Sequence, residues 1–156
     1  MKSIKQAMCL VVVLGLVAMG CGLKLGLDGN VRFMRTSDAI IHDSVTGLQW
    51  LPDLGRKDIT WDDAQAYVRG LKAGGFSDWR LPSRVELKSL YDPSIKAEYK
   101  IDPMFQLSAC CPWTGDLYDS LTVWIFYFNN GHEIQYSRSY GINKRVLAVR
   151  SALLKN

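Results

Sequence analysis

Asp78, Arg80 and Glu86 fall inside the stretch FSDWRLPSRVELKSL, Phe76 to Leu90, and form the strongest charged grouping in the chain. Two carboxylates beside a guanidinium are a set from which acid–base chemistry can be built. The same set beside a tight strand-to-helix junction also makes an ion-paired brace. We read Asp78, Trp79, Arg80 and Glu86 as structural, because removing a partly buried partner from such a cluster costs about 3–5 kcal/mol with no reference to activity.

Other reactive types are sparse. His42 and His132 are the only histidines, far apart in sequence and outside any zinc-type spacing, so no metal site and no cofactor is expected. Asp62 and Asp63 sit where a helix start would place them, where the N-terminal dipole favours negative charge. The glycines mark turns and caps and form no phosphate-binding run. No catalytic residue is assigned.

Cysteine and aromatic residues offer more. Cys9 belongs to an apolar leader and Cys21 to its end, which leaves the neighbours Cys110 and Cys111. They have three options in an oxidising compartment: a vicinal disulfide, a bond to another chain, or two reduced thiols. Adjacent Cα atoms lie about 3.8 Å apart, under the usual disulfide spacing of about 4.4–6.8 Å, so a vicinal bridge would be strained. Trp113, in the loop-like run Cys110-Cys111-Pro112-Trp113-Thr114-Gly115-Asp116, is the aromatic expected to be exposed. Sugar faces stack on such rings. Arg138, Lys144 and Arg145 belong to a C-terminal segment in which no acidic residue follows Glu133. Together with Trp113 they are the candidate ligand-binding set for an anionic surface. A solvated edge-strand face is the plainer reading of the same charges.

The elements that must position these residues can be read from period and punctuation. Ala39–Ile41 and Leu48–Leu51 are short strands around the turn Ser44-Val45-Thr46-Gly47. Thr60 opens a helix whose apolar positions are Trp61, Ala64, Val68 and Leu71, with Gly74 as its left-handed end. Trp79 and Leu81 alternate with Asp78 and Arg80 as a short strand would, Pro82 ends it, and Ser83 with Glu86 makes a second capping box. Thr122–Phe128, the turn Asn129-Asn130-Gly131, Glu133–Arg138 and Arg145–Arg150 supply strands, with Trp124, Phe126 and Phe128 on one face. With no βαβ alternation, the order predicts an α+β domain around an antiparallel sheet.

The first twenty residues differ from the rest. Lys2 and Lys5 precede an uncharged apolar run to Gly20, too short for a bilayer core of about 20 residues, so 1–20 reads as a secretory signal. Ala18-Met19-Gly20-Cys21 resembles the lipobox of bacterial lipoproteins, which implies that Cys21 carries lipid and that residues 21–30 are a tether. An ordinary cleaved signal is the alternative. Gly22, in place of Asp, resembles lipoproteins sorted to the outer membrane. Without 1–20 the 156 residues fall to 136, one domain burying about two-thirds of its unfolded surface. Two of 19 basic residues and none of 15 acidic ones leave with the signal, so 17 against 15 gives +2, and no nucleic-acid partner is indicated.

Asp43-Ser44-Val45-Thr46-Gly47-Leu48-Gln49-Trp50, then Thr60-Trp61 with Ala64 and Tyr67, then Ser77-Asp78-Trp79-Arg80-Leu81-Pro82 with Glu86-Leu87 and Leu90, resemble the Lcl C-terminal-like domain. The family takes its name from a Legionella collagen-like adhesin. The resemblance runs from about Phe33 to Ser151 within a domain of residues 31–156. It implies a C-type lectin-like α+β fold with antiparallel sheets and two short-to-medium helices, a bacterial envelope location, and for the namesake adhesin binding to sulfated glycans. It carries over no catalytic residue. Calcium-lectin signatures such as Glu-Pro-Asn are missing, and Cys110-Cys111-Pro112-Trp113 replaces the Tyr-Trp-Ser-Ser-type stretch of relatives. The expectation is therefore a lipid-anchored, non-enzymatic binding module for anionic glycans, with an envelope protein as the alternative partner. An oxidase related to formylglycine-generating enzymes is a distant third reading, because those use two cysteines that are not adjacent.

Overall fold

The computed structural model describes residues 31–36 and 38–152. The signal at 1–20, Cys21 and the tether at 21–30 lie outside the described residues. Within them the order is β1 (Phe33–Arg35), β2 (Ile41–Asp43), β3 (Leu48–Leu51), α1 (Trp61–Arg69) and α2 (Arg84–Leu90). A 3₁₀ turn (Pro103–Phe105) then leads into β4 (Cys111–Leu117), β5 (Thr122–Phe126), β6 (Glu133–Ser137), β7 (Lys144–Arg145) and β8 (Ala148–Ser151). The strands form two four-stranded sheets, β1-β2-β3-β8 and β6-β5-β4-β7, so the architecture is α+β.

Local signals explain most of the first half. Gly47 takes φ +69° and its N–H donates to the Asp43 carbonyl, closing the β2–β3 hairpin. Thr60 caps α1 by accepting from the Asp63 N–H. The helix ends a turn earlier than its apolar period predicts, at Gly70 in right-handed conformation. Gly74, with φ +58°, sits instead in the Ala73–Phe76 turn that follows. Ser83 and Glu86 make the full capping box of α2, which buries Leu87 and Leu90.

The opening stretch keeps its alternation without becoming a strand. Trp79 and Leu81 are buried and Asp78 and Arg80 are exposed, yet from Asp78 to Leu81 the ladder is reduced to a two-way bridge between the Arg80 and Val149 backbones, at 3.0 and 2.9 Å. Trp79 Nε1 donates to the Ala73 carbonyl at 3.2 Å.

Three further segments differ from expectation. The strand read at Ala39–Ile41 runs instead over Ile41–Asp43, because Ala39, with φ +61°, lies in the turn before it. Cys111–Leu117, read as a loop, is the strand between β5 and β7. Pro112 and Gly115 look like punctuation, but Gly115 is there so that its backbone can meet the Leu81–Pro82 segment. Its N–H donates to the Pro82 carbonyl at 2.7 Å, and a Cβ would lie 3.4 Å from the Leu81 oxygen. The run Arg145–Arg150, read as one strand, is divided between the sheets: β7 lies parallel to β4, and β8 antiparallel to β3. Val146 and Ala148 pack into one hydrophobic cluster with Trp61, Trp79 and Trp113, while Leu147 and Val149 pack into the other with Trp50, Phe105 and Phe126. An apolar run buried on both sides satisfies strand propensity, which cannot register a change of sheet halfway.

Strand β5 and the residues that follow it show the same two-sidedness. Val123 and Ile125 face the first cluster, and Phe126 and Phe128 belong to the second. Trp124 does not share their environment. It is half-buried, with the Arg84 guanidinium 4.2 Å from its ring centroid and Tyr118 edge-on against it.

Candidate functional site

The four residues expected to meet a ligand are dispersed and mostly buried. Trp113 is 0% exposed and its Nε1 donates to the Ile59 carbonyl at 2.8 Å, so the expected exposed aromatic is a core residue. The cause is β4 itself: in a strand covered on both sides, an inward ring has no route to solvent. Lys144 is 2% exposed, with its ammonium 3.8 Å from the Tyr136 ring centroid and donating to the Ile142 carbonyl. Burial pushes its pKa down to about 8. Arg145 is 6% exposed and lies 3.7 Å from Asp53 through Nε. Arg138 is ion-paired with Asp62 and lies over the Trp61 ring at 4.7 Å. Arg138 and Arg145 are ion-paired inside the fold and Lys144 is buried against aromatic rings, so the four do not make one exposed basic face.

The expected brace divides into two ion pairs. Arg80 Nη1 and Nη2 donate to the two Glu86 oxygens at 2.8 and 2.6 Å, and the Ser83 N–H donates to Glu86 Oε2 at 2.7 Å. Burial alone would raise the Glu86 carboxyl, but hydrogen bonds from Arg80 and Ser83 outweigh it and hold the group below its ordinary range. Asp78 turns away to accept from Arg150 Nε at 2.7 Å, and Arg150 also covers the Phe76 ring at 3.6 Å. Alternation sent Asp78 and Arg80 to one face, but the guanidinium that pairs with Asp78 comes from β8 and the carboxylate that pairs with Arg80 comes from α2.

A different set of residues forms a shaped polar concavity. Glu98, Tyr99, Ser108, Cys110, Asn129 and Arg145 surround a cleft of about 330 Å³, which Asn143 completes. Cys110 and Cys111 are joined in a disulfide. Cys110 reaches the cleft, while Cys111 is buried behind it.

Backbone hydrogen bonds hold the walls. The Phe128 N–H donates to the Cys110 carbonyl at 3.0 Å and the Lys100 N–H to the Phe128 carbonyl at 2.7 Å, tying three segments together. Asn143 takes φ +59°, a conformation asparagine tolerates better than most residues, and its N–H donates to Asp58 Oδ1 at 2.7 Å. Arg145 donates from Nε to Ser108 Oγ at 2.8 Å and from Nη1 to the Lys144 carbonyl at 2.9 Å. Ser108 in turn donates from both N and Oγ to Asp53 Oδ2. Burial, then a hydrogen bond to Glu98, pushes the Tyr99 phenol up, so it stays neutral and able to donate.

Sequence reasoning found Cys110, Cys111 and Arg145 but missed Glu98, Tyr99, Ser108, Asn129 and Asn143 as neighbours. The available signal was weak: a Cys-Cys pair with Asn129-Asn130-Gly131 and Ile142-Asn143 in turns. Among the described residues, no group of three or more His, Cys, Asp or Glu side chains is placed to hold a metal ion.

No sequence similar to this chain was found among curated proteins. The family model described as the Lcl C-terminal domain matches residues 39–150, from the β1–β2 connection to the third residue of β8. The chain belongs to the Lcl C-terminal domain family.

Proposed function

We propose that this protein is a lipid-anchored, non-enzymatic binding module of the bacterial cell envelope, of the adhesin-associated kind its family suggests, and that it recognises glycans. The observation that carries this reading is the polar cleft beside the Cys110–Cys111 disulfide, whose wall segments are tied together by backbone bonds before any ligand arrives. A site fixed in advance avoids much of the ordering cost of binding. Anchoring rests on Cys21 and its lipobox-like setting, with the outer membrane as the destination.

Of the residues first expected to meet a glycan, Arg145 reaches this cleft, while Trp113, Arg138 and Lys144 are committed elsewhere in the fold. Screening the full chain against a glycan array, with the mass of each bound glycan measured before and after incubation, tests the function. Specific binding without change of mass supports it. Absence of binding to every glycan, or cleavage of one, contradicts it. Incorporation of a palmitate analogue into the wild type and not into Cys21→Ser tests the anchor.

A protein partner in the envelope is the second reading, favoured by the exposed apolar side chains Leu117, Tyr118 and Leu121 at the β4–β5 turn. Crosslinking in cells that recovers one defined protein through this turn, together with a blank glycan array, would select it.

A further inference from the structure

The chemistry of the cleft limits what kind of sugar it can take. Its two charged side chains are of opposite sign, Glu98 and Arg145. Arg145 is already neutralised from behind by Asp53, which also accepts both hydrogen bonds of Ser108. One guanidinium therefore answers two carboxylates, and an added sulfate or carboxylate would meet net negative charge. This argues against an anionic occupant.

The hydrogen-bonding groups are mixed rather than one-sided. Asn129 and Asn143 each offer an amide donor and a carbonyl acceptor, Glu98 accepts, and the Tyr99 oxygen, whose own hydrogen bond is given to Glu98, can accept. The Nε and Nη1 of Arg145 are engaged within the fold, and Nη2 takes no part in those bonds. A ligand that both donates and accepts at several adjacent positions suits such a lining, and sugar hydroxyls are of that kind. The remaining wall is the Cys110 side of the disulfide, a polarizable and weakly hydrated surface that can lie against C–H groups. At about 330 Å³ the cleft is near the small end of ligand sites, which suits one ring rather than a chain of them.

We propose that this cleft seats a neutral, hydroxyl-rich ligand, a single hexose unit of a glycan, laid with a C–H face against the Cys110–Cys111 disulfide. The proposal rests on the glycan-binding reading and adds its site and its ligand class.

The test is saturation-transfer NMR on the full chain in a polyoxyethylene detergent, whose headgroup carries no sugar to compete. The probes are the methyl glycosides of glucose, galactose, mannose and N-acetylglucosamine, with glucuronate and glucose 6-sulfate as charged comparators. The proposal predicts saturable transfer to at least one neutral glycoside, strongest at the C–H protons of one ring face, with the charged sugars weaker. Asn129→Ala and Glu98→Gln, both exposed, should each weaken binding by about tenfold at unchanged melting temperature. Cys110→Ala/Cys111→Ala should remove the single-face signature.

Preferential binding of the charged sugars overturns the proposal, as does neutral binding that none of these variants alters. If the glycan array is positive and no monosaccharide binds, the hexose assignment fails while the glycan-binding function stands. If the array is blank as well, both fail.

Discussion

Lys144 is a charged residue that the fold takes out of water almost completely. Its neighbours are the Tyr136 and Trp113 rings, and its one fixed acceptor is the Ile142 carbonyl, so the charged form is penalised and its pKa drops to about 8 from 10.5. In the unfolded chain the amine holds its proton to higher pH. Between about pH 8 and 10.5 the unfolded state then binds more protons, and stability must rise with pH. Urea unfolding of the wild type against Lys144→Met should show the wild type gaining up to about 1.4 kcal/mol per pH unit in this window. Burial pushes the neighbouring Tyr136 phenol up, so it does not add a titration in the lower part of that range. A flat difference across the window would contradict the burial of the charge.

Asp43 has the opposite sign. It is fully buried, with Arg32 donating to both oxygens at 3.0 and 2.9 Å. Burial alone would raise its carboxyl, but hydrogen bonds from Arg32 and Thr46 outweigh it and hold the group below 3.8. Its stabilisation is present above the unfolded value and lost as pH falls through the lowered one. Asp43→Asn should cost about 3 kcal/mol at pH 7, and the gap to the wild type should shrink toward pH 2 in guanidinium titrations. A gap that persists unchanged at low pH would show that the carboxylate charge is not what matters.

Among the elements, close approach of backbones decides two glycines that propensity cannot explain, Gly115 and Gly141. A Cβ on Gly141 would lie 2.5 Å from the Ile59 carbonyl carbon and 2.8 Å from the Thr60 nitrogen, at the start of α1. Neither neighbour is a side chain that can swing aside. Gly141→Ala should therefore destabilise by about 1–3 kcal/mol, read as a drop in thermal midpoint. Gly55→Ala meets no atom within 4 Å, so its cost is limited to the conformational strain of φ +68°.

The helices were legible in the sequence because Thr60-Asp63 and Ser83-Glu86 announce their starts and the apolar period fixes their inner faces. The β2–β3 and β5–β6 hairpins were legible from Gly47 and Gly131. Strand β4 was hidden by Pro112 and by Gly115, and the reason for the glycine lies in the distant Leu81–Pro82 segment that its backbone meets. The division between β7 and β8 was hidden because both cores ask for the same apolar residues at Val146–Val149.

For the whole molecule, the last described strands join the two sheets, since β7 borders one and β8 the other while the residues between them alternate between the two cores. Trp113 sits on β4, which pairs with both β5 and β7, so Trp113→Ala should cost about 3–5 kcal/mol in equilibrium unfolding. That outcome separates a core tryptophan from the surface aromatic the sequence suggests, whose removal would change stability by about 0.5 kcal/mol or less. The cleft was the least legible feature, because its walls come from four separate segments and no spacing within any one of them reports the others.

The claim that this cleft is a glycan-binding site is tested most directly by comparing the wild type with Glu98→Gln/Asn129→Ala on the same glycan array. Both positions are exposed, so the double variant should fold and melt with the wild type. The account predicts defined glycans bound by the wild type and lost or at least about tenfold weaker in the variant. Equal binding by both proteins, or none by either, would contradict it.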